Sequence, residues 1–308
     1  MMRMFMILSG IMLTVAVLFS AGCSDDPNKN QTGNRLSVSC GLPPAAGLIE
    51  MIGQDKVQIF CLLPEGRSPH DYAPSPRELQ KAAKSRLYFS TGMSFEQQIG
   101  AALPERVKQI QLGQNIKRLE HSGCNHDHKN SDHHDHEGHD IEMEAGDPHL
   151  WLSCKNAIVL AGEICDALCA ADPENEELYR NNLQTLITDF TELDTDLRSM
   201  LQPYAGRTFM VYHPAFGYFA ADYSLHQLAV ELSGRESSAA HLIEIIRQAR
   251  NENIRVVFTQ KQFNPAAAGT LAKEIDGTVQ ELDPLAADIR SNLLTIGQTL
   301  QKSWSQED

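Results

Sequence analysis

Short apolar segments alternate with helix-length segments along most of the chain, and this alternation limits the folds that the chain can adopt. Strands connected through helices pair as parallel neighbours with right-handed crossovers. The pattern occurs twice and predicts an α/β fold with two Rossmann-like lobes of parallel sheet flanked by helices. The predicted strands span 36–40, 57–63 and 86–90 in the first lobe and 208–212, 227–231, 255–259 and 279–282 in the second.

The segment between the two lobes predicts a single long helix. Apolar residues such as Leu186, Phe190 and Leu193 recur there at helical spacing. The predicted helix runs from Glu174 to about Leu201 and has 28 residues. At about 1.5 Å per residue it measures about 42 Å, which is enough to connect both lobes as a rigid strut. The predicted domains are an N-terminal lobe at 35–172, an interlobe helix at 173–202 and a C-terminal lobe at 203–308.

Residues 1–22 have the features of a signal peptide. Arg3 supplies a positive charge, an apolar run follows, and small residues precede Cys23. This order resembles a bacterial lipoprotein signal, in which Cys23 becomes the acylated N-terminus. Because Ser20 stands where such signals usually have leucine, simple cleavage remains the alternative. The expected location is the periplasm or the outer face of the cytoplasmic membrane, with residues 23–34 as a flexible tether.

The net charge of −14 over 308 residues narrows the choice of partners. An acidic protein repels polyphosphates and attracts cations, which argues against nucleic acid or an anionic membrane as the main partner. Many soluble enzymes are equally acidic, so the charge is compatible with a cation-binding protein without establishing one.

The cysteines leave several alternatives open. Cys40 and Cys61 fall in predicted strands that could be neighbours, and an exported protein can form a disulfide there. Cys165 and Cys169 share one helix face, where buried thiols are favoured over metal ligands. The oxidation state of these residues, and of Cys124 and Cys154, does not follow from the sequence.

Three histidines outside a histidine-rich segment share one kind of setting. His70, His149 and His213 each adjoin an apolar segment in a loop that contains proline. His70 and His213 follow predicted strands, and loops beyond the carboxyl ends of parallel strands form the binding crevice of open α/β sheets. Prolines stiffen such loops and hold the imidazoles in place before a ligand arrives.

Asp283 occupies an equivalent position after the last predicted strand and before a proline. Three imidazoles and one carboxylate form a tetrahedral ligand set that suits Zn²⁺. The four residues are far apart in sequence, so spacing alone leaves open that they are ordinary hydrogen-bonded loop residues. His226 and His241 are interpreted as ordinary residues of this kind.

Four segments resemble the metal-site segments of the cluster A-I solute-binding proteins of zinc and manganese ABC importers. They are PHDYAPSP (69–76), GDPHLWLS (146–153), YHPAFGYFA (212–220) and ELDPLA (281–286). The resemblance implies that His70, His149, His213 and Asp283 bind one ion in the cleft between the lobes. It further implies a monomeric, extracytoplasmic subunit that captures Zn²⁺ and delivers it to an ABC importer permease in the membrane.

The third ligand bears on the choice of metal. Manganese and iron members of the family generally have a carboxylate where this chain has His213, and three imidazoles favour Zn²⁺ over Mn²⁺. The chain departs from the family pattern at Cys154, where proline is frequent, and at Gln260, where glutamate is common. We expect the second departure to alter the carboxylate network behind the ligands.

A low-complexity insertion at 121–147 combines histidines with acidic residues and predicts a solvated loop without regular structure. One hypothesis is that the loop gathers zinc weakly at several sites and passes it to the cleft, or senses zinc abundance. The alternative is a polar loop that binds metal only incidentally. The candidate accessory ligands are His121, His126, His128, His133, His134, His136 and His139.

Two rival functions remain at this stage. A metal-binding surface adhesin or zinc-buffering lipoprotein could use the same fold. A zinc hydrolase is disfavoured because Asp283 would fill the fourth ligand position and because the sequence has no HExxH helix. We therefore expect a binding protein and not an enzyme.

Overall fold

The computed structural model describes residues 35–120, 146–231, 238–263 and 265–305. The predicted signal peptide, the tether, Cys124 and the seven histidines of the insertion lie outside these residues. The part of the chain that starts at Asn34 forms one compact unit. The predicted domain boundaries near 172 and 202 therefore stay predictions.

The elements of the first half are β1 (Leu36–Cys40), α1 (Pro43–Gly53), β2 (Val57–Cys61), α2 (Pro76–Ala82), β3 (Leu87–Ser90), α3 (Ser94–Ala102) and β4 (Lys108–Gln111). Its four strands form a parallel sheet in the order β2-β1-β3-β4. Helix α2 begins as its sequence predicts, because the Ser75 hydroxyl accepts from the Glu78 backbone N–H while the Glu78 carboxylate accepts from the Ser75 N–H.

Two helices connect the halves, α4 (Cys154–Ala171) and α5 (Glu176–Leu201). The long helix α5 confirms the predicted connection. Its buried side chains, which include Leu186, Phe190 and Leu193, recur at the three- and four-residue spacing of a helix face. That face packs against α1 and α4 of the first half.

The elements of the second half are β5 (Thr208–Val211), α6 (Gly217–Asp222), β6 (His226–Ala229), α7 (Ala239–Asn251), β7 (Val256–Thr259), α8 (Pro265–Glu274), β8 (Thr278–Glu281) and α9 (Ile289–Ser305). Its four strands also form a parallel sheet, in the order β6-β5-β7-β8. Helix α9 returns to pack against α5 and α1. The predicted class of two parallel sheets flanked by helices is confirmed. No helix in the described ranges combines the length and apolarity that a bilayer crossing requires.

Two elements of the first half, α3 and β4, have no counterpart in the sequence-based prediction. Strand β4 reads KQIQ, and three of its four residues are exposed. Such an edge strand pairs on one side only, so its sequence lacks the apolar run that marks a buried parallel strand. Because β4 is polar, its sequence did not indicate a strand. Its backbone pairing with β3 shows that it is one.

The two pairs of cysteines that the sequence predicts as neighbours lie close together in the structure. Cys40 and Cys61 are partners in the register of β1 and β2, and both are free thiols in this structure. The Sγ atoms of Cys165 and Cys169 lie 3.9 Å apart on the buried face of α4, also as thiols.

The two halves come into close contact where α1 meets the segment between β8 and α9. A Cβ atom at Gly47 would lie 1.8 Å from the Ala287 carbonyl oxygen, a backbone atom that cannot rotate away. Glycine is therefore required at this crossing, because any side chain would push the two halves apart.

We predict that Gly47→Ala destabilises the protein by about 1–3 kcal/mol, as overpacking of a tight contact does. Thermal unfolding followed by circular dichroism measures the effect. The matched control is Gly162→Ala in α4, where an added Cβ meets nothing within 4 Å and helix propensity should raise stability slightly. Equal melting temperatures for the two variants would contradict the interpretation of this contact.

Candidate metal centre

Three imidazoles meet between the two sheets. His70 lies in the loop after β2, His149 in the loop before α4, and His213 two residues after β5. Their candidate ligand atoms all lie within 4.8 Å of one another. Among the described residues this is the only cluster of three or more histidine, cysteine or acidic side chains with metal-binding spacing.

The spacing of the ring nitrogens suits a tetrahedral ion. His70 Nε2 and His213 Nε2 are 3.2 Å apart. Two nitrogens bound at about 2.0–2.1 Å to a tetrahedral Zn²⁺ are separated by about 3.3–3.4 Å. His149 and His213 are buried whereas His70 is exposed, so solvent reaches the cluster from the His70 side.

Asp147 orients His149. Its Oδ1 atom accepts from the His149 backbone N–H at 2.9 Å and lies 2.7 Å from the ring Nδ1. A carboxylate at this distance holds the hydrogen on Nδ1 and leaves Nε2 as the metal-binding nitrogen. Trp151 supports the same ring edge-on, with ring centroids 5.6 Å apart.

Glu231 has the same role for His213. Its Oε2 atom lies 2.8 Å from His213 Nδ1, and both side chains are almost fully buried. Burial lowers the pKa of His213 more than the hydrogen bond to Glu231 raises it. The ring therefore stays neutral, as a metal ligand must, to a lower pH than a solvated imidazole.

Two further side chains fix His213. Gln260 accepts from the His213 backbone N–H at 3.3 Å and donates from Nε2 to the His213 carbonyl at 3.0 Å. Phe263 stacks on the imidazole with ring centroids 5.1 Å apart. Gln260 thus holds the backbone of a candidate ligand, and its predicted effect on the carboxylate network stays a prediction.

The parallel sheet explains why these residues meet. His213, Glu231 and Gln260 follow the neighbouring strands β5, β6 and β7 by one or two residues. Carboxyl ends of parallel strands share one sheet edge, so residues distant in sequence converge there.

The loop that carries His149 is also tied to the second half. Tyr218 in α6 donates its hydroxyl hydrogen to the Asp147 carbonyl at 2.9 Å and accepts from the Leu119 N–H at 3.2 Å. The Asp147 N–H in turn donates to the Leu119 carbonyl at 2.8 Å. The two described ends that flank the insertion are thus joined to each other and to Tyr218.

Asp283 is not part of the three-imidazole cluster. It follows β8 by two residues, at the same sheet edge as His213. Its Oδ2 atom lies 3.5 Å from Lys261 Nζ, and its Oδ1 atom accepts from the Leu285 N–H at 2.9 Å. The structure therefore brings together the three predicted histidines and gives the predicted carboxylate a different partner.

The backbone around Asp283 is nevertheless anchored beside the cluster. Trp151, two residues after His149, donates its indole N–H to the Pro284 carbonyl at 2.6 Å. Asn292 donates to the Asp283 carbonyl at 2.6 Å. The loop of the fourth candidate ligand is thus bound to the loop of the second.

Sequence reasoning missed the residues that support the ligands. Asp147 had a signal, because an aspartate two residues before a histidine can form a local turn that holds it. Glu231 and Tyr218 had no comparable signal, since their roles depend on strand order and on contacts between the halves. His226 and His241 lie outside the cluster, as interpreted from the sequence.

Comparisons with known proteins converge on one group. The family model described as the periplasmic zinc-uptake complex component A, ZnuA, matches residues 38–298. The crystal structure of a zinc-bound ZnuA deletion mutant superposes with a TM-score of 0.77 at 33% identity, covering 87% of this chain and 98% of that one.

Two curated relatives are zinc-binding proteins of streptococci. The zinc-binding protein AdcA of Streptococcus pyogenes serotype M3 is 30% identical over 76% of this chain and 47% of AdcA. The zinc-binding lipoprotein AdcA of Streptococcus pneumoniae R6 is 28% identical over 90% of this chain and 55% of that protein. This chain is therefore similar to about half of each AdcA protein.

We predict that Glu231→Ala weakens Zn²⁺ binding by about 10- to 100-fold, because His213 loses the partner that fixes its tautomer and orientation. Competition with a chromophoric chelator measures the affinity. The control is Glu177→Ala on the exposed face of α5, which removes the same charge away from the cluster. Equal affinities in the two variants would show that Glu231 does not act on the site.

Proposed function

The chain belongs to the periplasmic zinc-uptake complex component A family, and from that premise we propose that it is the extracytoplasmic zinc-binding subunit of an ABC importer. It captures Zn²⁺ between the two halves and delivers the ion to a membrane permease. The observation that carries this proposal is the convergence of His70, His149 and His213, two of them backed by buried carboxylates.

The proposed coordination has three imidazoles and one carboxylate. The neutral Nε2 atoms of the histidines replace water molecules of the hydrated ion, and Asp283 turns toward the metal as the fourth ligand. The anchored carbonyls of Asp283 and Pro284 support this assignment, because they hold the backbone of the fourth ligand beside the loop that carries His149. Three imidazoles favour Zn²⁺ over Mn²⁺, which prefers oxygen ligands.

We propose binding and release without catalysis. A catalytic zinc keeps one coordination position for water or substrate, and Asp283 would fill that position here. The permease is the proposed partner, and the subunit works as a monomer. Its proposed lobes are 35–172 and 203–308, with the interlobe helix at 173–202 between them. The lipoprotein name of one relative supports acylation at Cys23 and attachment to the outer face of the membrane.

For the insertion we propose a separate, weaker role. Its histidines and carboxylates gather Zn²⁺ at several low-affinity positions and raise the local concentration near the cleft. The sequence predicts a solvated loop here, and a loop that orders on binding loses conformational entropy, so we expect it to bind more weakly than the imidazoles of the cleft. Leu119 and Asp147, on the two sides of residues 121–145, are hydrogen-bonded to each other, and this supports independence of the two functions.

Competitive zinc titration of the mature protein tests the proposal. We predict one tight site that survives deletion of 121–144, together with weaker sites that the deletion removes. His213→Ala is the matched variant for the cleft and should lower the tight affinity by more than the roughly 10- to 100-fold that an outer-shell partner contributes. Weak sites that all vanish with the insertion would contradict capture in the cleft and favour adhesion or buffering.

We also predict that zinc affinity falls as the pH is lowered from about 7.5 to about 5. Protons compete with the metal for imidazole nitrogens, whose ordinary pKa is about 6.5. The lowered pKa of His213 moves its share of the loss toward the acidic end of this range. Calorimetric titrations at several pH values measure the effect, with circular dichroism to verify the fold; an affinity independent of pH would refute imidazole ligation.

A further inference from the structure

Lys261 lies between two carboxylates at the edge of the metal centre. Its Nζ atom is 3.5 Å from Asp283 Oδ2 and 4.0 Å from Glu281 Oε1. The proposed fourth ligand therefore has a cationic partner supplied by the protein itself.

The register of the second sheet produces this pair. Thr259 in β7 is the register partner of Glu281 in β8. Lys261 and Asp283 each come two residues later, so they leave the sheet side by side. A lysine at position 261 is thus held next to Asp283 by the backbone pairing of two strands and does not meet it by a chance surface contact.

Lys261 is also close to the histidine side of the centre. The residue before it, Gln260, binds the His213 backbone, and Phe263 stacks on the His213 ring. Strand β7 lies between β5, which leads to His213, and β8, which leads to Asp283. Residue 261 therefore follows the strand that lies between those leading to His213 and to Asp283.

We infer that Lys261 is a positioning residue that competes with Zn²⁺ for Asp283. This inference rests on the proposed function, in which Asp283 is the fourth ligand. In the metal-free protein the ammonium holds the carboxylate away from the imidazoles. Zn²⁺ displaces it on binding, and it recaptures the carboxylate when the ion leaves.

Glu281 makes this exchange reversible. When Asp283 turns toward the metal, the Lys261 ammonium still has Glu281, the last residue of β8, as a carboxylate partner. The competing pair is partly exposed, with side-chain exposures of 45% for Lys261 and 25% for Asp283. Pairs of this kind are weak, so the competition should change affinity by about two- to five-fold. A modest effect suits a protein that must also release its ion.

Lys261→Met tests the inference, because methionine keeps an unbranched side chain of similar length and removes the charge. The expected result is zinc affinity about two- to five-fold tighter, with correspondingly slower dissociation in stopped-flow chelator competition. The matched control is Lys56→Met, which removes the same charge just before β2, at the opposite edge of the other sheet. Affinity equal to that of Lys56→Met would overturn the inference.

The Asp283→Asn background separates this inference from the proposed function. Asp283→Asn alone should weaken zinc binding, and adding Lys261→Met should then have no effect beyond that of Lys56→Met. If Lys261→Met tightens binding equally in both backgrounds, Lys261 acts as a general charge and the inference fails. If Asp283→Asn leaves the affinity unchanged, Asp283 is not a ligand, and the fourth ligand of the proposed function fails with it.

Discussion

The two buried imidazoles of the metal centre each share a hydrogen with a carboxylate, and the geometry of the site depends on these bonds. Asp147 and Glu231 hold the hydrogens on Nδ1 of His149 and His213. A carboxylate taken out of water is costly unless it has hydrogen-bond partners. The same bonds therefore stabilise two buried acids and turn two Nε2 atoms toward one point. Ligand orientation and stability of the folded chain have a common origin here.

The contacts that join the two halves lie close to the ligands in sequence. Trp151 and Ser153, shortly after His149, bind the Pro284 carbonyl and the Asp222 carboxylate of the second half. Tyr218, shortly after His213, binds the loop before His149. Because these contacts adjoin the loops of the candidate ligands, they hold the two halves together at the three-imidazole cluster. A preorganised site of this kind loses less conformational entropy on binding.

The sequence was sufficient for the features that depend on local patterns. Alternating strands and helices predicted both sheets. Proline-containing loops made His70, His149 and His213 candidates, and the resemblance to the solute-binding family implied that they share one ion. Strand β4 was missed because an exposed edge strand carries no apolar signature. Glu231 was missed because its role follows from β6 lying next to β5, which no local pattern encodes.

The surroundings of Asp283, like those of Glu231, depend on which strands are neighbours in the sheet. Asp283 follows a strand and precedes a proline, as His213 does, but the pairing of β7 with β8 sets it beside Lys261. Sequence pattern can assign a residue to a sheet edge. Which neighbour the residue meets along that edge depends on register, and register is fixed by pairing between strands that are distant in sequence.

Gln260 shows why an amide suits the position behind His213. An amide accepts from the His213 N–H and donates to its carbonyl, so both backbone groups are satisfied. A glutamate could only accept, which would leave the buried carbonyl without this donor. The amide therefore holds both backbone groups of His213 without adding a charge, and the carboxylates that face the two buried rings are those of Asp147 and Glu231.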